Sequence, residues 1–563
     1  MYCAHCGKEI SELVKFCPYC GAAAEQPAPV EEAPAAEPAV QEAPAAPVQE
    51  TPASGGKLRS LPRKWLVIGA VVLIFALAAA AAIGGAVASV ASPQKQLLLA
   101  YAGAVSDVME VSARYYDDGL EAMEKGAVLD ASMELSVTEL ALTQALGMNP
   151  GVNSVKLDCE TITDKNGSLG VDLTLSSGKT ELITLQAFLD AEAGNVVLAV
   201  PEVLSKPVLV DLGTAMEESV DYDAAPYVAQ TLQDLDMSFL PEGEFLEELL
   251  PSLVKAALLE IDQVEKNKTE FTADGVTQKA DCLTVTVTEV TLCNMANAVL
   301  EELKTDREIK RIITDFYKLN GELLQIPYDS ADEFYDDFVK ELADAQEELR
   351  YYEGDEELCR LHTWVNGDNE ILAIQLLAGD IQVFAAKAKD GSNVGLEFNV
   401  KEDYQSLFAI KGQGTEKNGK FSGTVKALVE YDEMVIVECT DVNTKKLEEG
   451  YLSGSFHVKL GDAAREEVGA MMSGLEIRLT MDQAEKKASG KVEVILQGTT
   501  LGTLTLDGST KLKGEVKVPK DAVPLEEMGM PNLEIIFNRL KAAGLNDQLV
   551  DSLGQMLLMG ALG

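Results

Sequence analysis

A chain of 563 residues with 46 Lys+Arg against 92 Asp+Glu carries a formal net charge of −46, which excludes electrostatic binding of nucleic acid by the molecule as a whole. Its hydrophobic fraction of 47% excludes wholesale disorder. Nine cysteines over this length are too sparse for a disulfide scaffold.

The first element is CAHCGKEISELVKFCPYCG, residues 3–21. Cys3 and Cys6 form one Cys-x-x-Cys pair and Cys17 and Cys20 the other, so four thiolates can converge tetrahedrally on one Zn²⁺. Gly7 and Gly21 follow the pairs and permit the tight turns that aim backbone N–H groups at the sulfurs. So short a segment has no room for a core, and the metal supplies its folding free energy, about 10 kcal/mol or more in comparable peptides. A redox dithiol or a pair of disulfides is the weaker alternative, because no thioredoxin-like context surrounds the cysteines. Residues 1–21 resemble the short zinc-ribbon family through the knuckles CAHCG and CPYCG. That resemblance implies a structural zinc and a module that docks a protein partner.

Residues 22–64 are a linker rich in proline, alanine and glutamate followed by a basic juxtamembrane segment. From Trp65 to Ser92 no charge appears, which predicts a transmembrane helix over 65–92. Lys57, Arg59, Arg63 and Lys64 precede the run, so the positive-inside rule places the N-terminus in the cytoplasm and the residues beyond 93 outside the cell membrane. A cleavable signal peptide ending near Ala86-Val87-Ala88 is the rival reading.

Residues 93–563 divide into a region 93–357, with a helix, a first β-meander and further helices, and a region 358–563, with a second meander and C-terminal helices. Strands show in the alternation of Val394, Leu396, Phe398 and Val400, and again in Leu475, Ile477, Leu479 and Met481. Asn166-Gly167, Asp274-Gly275, Asn366-Gly367, Asp390-Gly391, Asn418-Gly419 and Asp507-Gly508 predict tight hairpin turns. Helices are expected over 94–125, within 226–262, as two or three segments over 294–350, and over 532–559. The fold class expected is multidomain: a small zinc ribbon, one transmembrane helix, and a large α+β exported region of antiparallel meanders covered by helices. The order of parts resembles membrane proteins of Gram-positive bacteria that join a zinc ribbon, one span and a large exported region. The meanders resemble the half-barrel of the LolA and LppX lipoprotein carriers, which implies a lipid ligand.

Catalytic chemistry has little material here. Beyond residue 92 there are two histidines: His457 is expected as a solvated residue on a polar strand face, and His362 as a packing partner of Trp364. Ser92-x-x-Lys95 and Ser252-x-x-Lys255 fit a serine–lysine pattern without its companion motifs. The acidic groups 335–337 and 353–357 offer carboxylates for a glycoside hydrolase, and acidic runs of this kind are usually solvated faces. Cys159, Cys282, Cys293, Cys359 and Cys439 are expected to be packing residues, with one bridge, Cys159 to Cys282 the nearest candidate, as the alternative. No catalytic or cofactor-binding residue is assigned. The function expected is a non-enzymatic, membrane-anchored surface protein binding a hydrophobic ligand or envelope component. The alternatives are a transmembrane structural or signalling adaptor and a cell-wall hydrolase.

Overall fold

The structure is a computed structural model, and it describes residues 92–146, 149–191, 193–211, 235–351, 354–528 and 532–552. The zinc-ribbon cysteines Cys3, Cys6, Cys17 and Cys20, the linker, and the 65–92 run up to residue 91 lie outside the described residues. The described residues belong to one compact unit, Val67–Gly563.

Helix α1 (Pro93–Lys125) begins where Ser92 caps it, its hydroxyl accepting from Lys95 N at 3.2 Å with proline at the first turn. That cap is the structural role of the Ser92-x-x-Lys95 pair. Gly126, at φ +73°, turns the chain into β1 (Ala127–Val137). After α2 (Glu139–Leu146) the strands β2 (Ser154–Thr163), β3 (Leu169–Ser177), β4 (Thr180–Asp190), β5 (Asn195–Ala199) and β6 (Val208–Asp211) pair in sequence. Next come α3 (Gly243–Leu259), the hairpin β7 (Glu265–Ala273) and β8 (Val276–Thr288), and α4 (Glu289–Thr305), α5 (Arg307–Asn320) and α6 (Ala331–Leu349).

A long meander completes the chain: β9 (Glu357–Val365), β10 (Ile371–Ala378), β11 (Ile381–Asp390), β12 (Asn393–Glu402), β13 (Gln405–Lys417), β14 (Lys420–Val429) and β15 (Asp432–Asn443). After α7 (Thr444–Glu448) come β16 (Ser453–Leu460), α8 (Asp462–Met472), β17 (Leu475–Ala484), β18 (Lys487–Leu496) and β19 (Thr499–Leu512). A short β20 (Val523–Pro524) lies parallel to β6, and α9 (Glu534–Ala542) packs near β4.

These strands form one 20-stranded sheet. The two meanders are not separate bodies: β1 pairs along its length with β19, from Ala127↔Leu512 to Val137↔Gly502, and β8 pairs with β9 across the three intervening helices. Position 357 is therefore the first residue of a strand inside the sheet. The expected multidomain α+β class with meanders covered by helices is corrected to one large β-rich body. Nor does any helix of the described residues have the length and apolarity to cross a membrane. The physical reason is plain: alternation shows which way side chains point along a strand, and says nothing about which strand lies beside it.

Helices cover one end of the sheet. Leu97, Ala100, Tyr101 and Ala104 of α1 share a helical stripe and pack with Leu258, Met295, Leu283, Val285, Leu361 and Ile374. Inside this core the Tyr101 hydroxyl and Thr363 Oγ1 are 2.9 Å apart, so two buried hydroxyls satisfy one another. On the reverse face the β7–β8 hairpin folds over β11 and β12, enclosing Phe271, Trp364, Ala386 and Ala388. Gly395 allows that closeness, since a Cβ there would stand 2.0 Å from Ala273 O.

At 1.5 Å per residue, the 33 residues of α1 span about 50 Å. The helix contacts both β10 and β19, nine strand spacings apart, or about 43 Å at ~4.8 Å each. Midway, Tyr115 Oη donates to Gly450 O at 3.2 Å and the Arg114 guanidinium lies 5.0 Å from the Tyr451 ring centroid. The helix is a brace laid across the middle strands.

Candidate ligand-binding face

Register turns the alternation of single strands into two continuous faces. One cross-strand row reads Phe456, Leu479, Val492, Leu504, Leu135 and Val155. A second reads Leu506, Met133, Leu157, Leu175 and Ile183, and a third Phe398, Ile410, Ala427, Val435 and Leu460. The adjacent row on the reverse side is Glu438, His457, Arg478, Glu493, Thr503 and Ser136. One face is apolar from β10 to β4, and the reverse face along this row is polar from β15 to β1.

The apolar face is buried where α1, α3 and α4 cover it and around Val394, Phe421 and Val442. Farther along, Leu129, Met133, Leu135, Val155, Leu185, Ile381, Phe408, Ile410, Val429 and Ile477 are all exposed, and the register puts all ten on this one side. Soluble proteins scatter such residues singly, so a contiguous array marks a contact surface. In its middle is a cavity of about 260 Å³ lined by Ala131, Met133, Leu157, Cys159, Gly490, Leu506 and Gly508. Small side chains meet there: Gly508 pairs with Ala131 on one side and Ala488 on the other. Asp507-Gly508, expected to form a turn, instead lies inside β19, which runs straight through both residues.

The rim under α1 is charged. Lys387 and Lys389 share the apolar side with Leu396 and Val394, and Lys389 pairs with Glu416 at 2.9 Å. Burial, then the neighbouring Lys389, holds the Lys387 ammonium below its ordinary pKa. Asp107 of α1 is pushed up to about 6 by burial and by the charges of Glu110, Glu370 and Glu448. Its Oδ2 is buried without a hydrogen bond. An amphipathic molecule lying on this face therefore meets hydrocarbon along the strands and ionisable groups at one rim.

The residues weighed for chemistry fall elsewhere. His362 stacks beside Trp364 with centroids 6.0 Å apart, the packing pair expected, and its Nδ1 is 2.9 Å from Thr284 Oγ1. Burial and then Arg360 hold its pKa down. His457 is on the polar face, yet it is not solvated: Nε2 is 2.7 Å from Glu476 and Nδ1 3.3 Å from Glu438, with the side chain 18% exposed. Ser252 donates to Leu249 O within α3.

Tyr335 is buried with its hydroxyl on Lys304 O, Asp337 accepts from Tyr328, and Glu357 pairs with Arg360. Cys159, Cys282, Cys359 and Cys439 are free thiols. Cys293 lies in α4 rather than on a strand with Cys282, and Cys159 lies on β2, far from β8 in strand order. No group of three or more His, Cys, Asp or Glu among the described residues is placed to hold a metal.

Residues 2–23 match the zinc-ribbon domain family, so a zinc ribbon stands at the N-terminus. No curated protein matches the chain.

Proposed function

We propose that the β-rich body is a non-enzymatic binding module that holds the apolar part of an amphipathic envelope molecule, a lipid, on its open sheet face. The observation that carries this reading is the set of ten exposed large apolar side chains aligned on one side of the sheet. At about 25 cal/mol per Å² of apolar surface removed from water, covering even a few of them is a substantial driving force for binding. The charged rim beneath α1 supports an amphipathic rather than a purely hydrocarbon ligand. The body lies outside the cell membrane, attached through the uncharged 65–92 segment, with the N-terminus cytoplasmic. The ribbon holds one Zn²⁺ through Cys3, Cys6, Cys17 and Cys20, whose four soft thiolates fit that ion, and it docks a protein partner.

Lipid extraction and mass spectrometry of the full-length protein test this, with Met133→Asp/Leu135→Asp as the comparison. Both side chains are already half in water, so the variant keeps its circular dichroism. The expected result is lipid co-purifying with the parent protein and reduced at least about three-fold in the variant. Equal lipid content in the two would overturn the assignment to this face. A lipid-free parent that fails to take up a fluorescent fatty acid would overturn the lipid reading altogether.

A further inference from the structure

We propose that a second site, the pocket between α5 and α6, binds a small organic cation carrying a methylated ammonium group. It stands apart from the sheet face and independent of the lipid reading. The pocket is a cavity of about 370 Å³ walled by Phe316, Tyr328, Phe334 and Phe338 together with the aliphatic Ile312 and Ile313, and Asp337 and Glu341 complete its lining. Three of these rings form a connected cluster around Phe334, with centroids 5.3 Å to Tyr328 and 6.4 Å to Phe316, while Phe338 packs against Tyr335 at 6.2 Å. Phe334, Phe316 and Phe338 are each only partly buried, so the cluster opens to water instead of closing as a core.

A purely apolar ligand accounts for the rings and leaves the carboxylates unexplained; an inorganic cation accounts for the carboxylates and leaves the rings unexplained. An alkylated ammonium satisfies both, because the π face attracts the charge while the methyl groups lose contact with water. Tyr328 Oη donates to Asp337 Oδ2 at 2.6 Å and so fixes one carboxylate at the rim. No basic side chain lines the pocket among the described residues. The nearby cations of α5 are engaged elsewhere, Arg311 with Glu308 and Asp315, and Lys318 with Asp315. The same helix pair already shows the pattern in miniature: Lys310 Nζ lies 4.7 Å over the Tyr335 ring and 3.9 Å from Asp332.

Isothermal titration calorimetry of the full-length protein compares choline chloride with its neutral carbon isostere, which has the same shape and no charge. Choline is expected to bind at least about five-fold tighter, the gain of a cation on desolvated rings. Asp337→Asn/Glu341→Gln should weaken choline at least about three-fold and leave the isostere unchanged. Phosphatidylcholine vesicles locate the source: competition with choline points to a lipid headgroup, and its absence to a free solute, either of which agrees with a cation site. Equal affinity for the two probes, or no choline binding by a folded protein, overturns the proposal.

Discussion

Asp107 is an acid held against its preference. Its folded pKa of about 6 lies above the ordinary aspartate value, so the folded state binds its proton more tightly than the unfolded state does. Well below pH 4 both states are protonated and the group is neutral in effect; as pH rises towards 6 and beyond, the folded protein must ionise a poorly solvated carboxyl, and stability falls. Asp107→Asn is therefore expected to stabilise the protein at pH 7.5 by about 1 kcal/mol, less than full linkage implies because the carboxyl keeps some solvent contact. Urea denaturation at pH 7.5 and pH 4.5 checks it: the gain should shrink at the lower pH, and a constant gain would assign it to something other than ionisation. The ribbon cysteines make a simpler case. One zinc per full-length chain is expected by metal analysis under reducing conditions, and Cys17→Ser/Cys20→Ser should bring the stoichiometry near zero, since two thiolates do not complete a tetrahedral site.

Among elements, the β7–β8 hairpin depends on a missing side chain. Gly395 faces Ala273 O so closely that a methyl group has nowhere to go, and its neighbours are backbone and the Val276 side chain rather than flexible side-chain ends. Gly395→Ala is expected to cost about 1–3 kcal/mol, measured by urea denaturation. Gly391→Ala, in a turn with nothing near its absent Cβ, is the contrast, because its cost comes from positive φ alone, about 1 kcal/mol.

The sequence made such elements readable unevenly. Val394, Leu396, Phe398 and Val400 announce β12 because their alternation is strict, and Asp274-Gly275 and Asn418-Gly419 announce turns that the structure builds with positive φ at both residues. Asp403-Tyr404 and Glu430-Tyr431 adopt the same positive-φ pair with no glycine, so composition concealed them. Gly508 misled in the opposite sense: beside Asp507 it resembles a turn, while in the sheet it makes room between Ala131 and Ala488. The apolar face was half legible. Each strand's apolar side could be read, and the joining of those sides into one surface required the register.

For the molecule as a whole, the two faces and the charge give a consistent picture. Residues 93–563 hold 40 Lys+Arg against 84 Asp+Glu, which discourages self-association through the polar face and leaves the apolar face as the surface of attraction. The proposed placement outside the membrane predicts that protease added to wall-stripped intact cells degrades the β-rich body and leaves a protected N-terminal fragment containing the ribbon. Full protection of the chain would overturn the placement.

The pairing of β1 with β19 also bears on how the protein is made. Val137 and the start of β19 at Thr499 are separated by most of the chain, so on synthesis from the N-terminus β1 emerges long before its partner exists. Strands β9 to β18 each find a neighbour as soon as the next hairpin is complete. The edge of β1 must wait, with Met133 and Leu135 uncovered beside unpaired backbone amides, which is the condition that invites another chain to pair there. Biogenesis thus has a long vulnerable interval, opening when β1 appears and closing when β19 arrives. A ribosome stalling or a premature stop anywhere between them releases a sticky fragment, so cells producing this protein have reason to keep a holding chaperone at the exit.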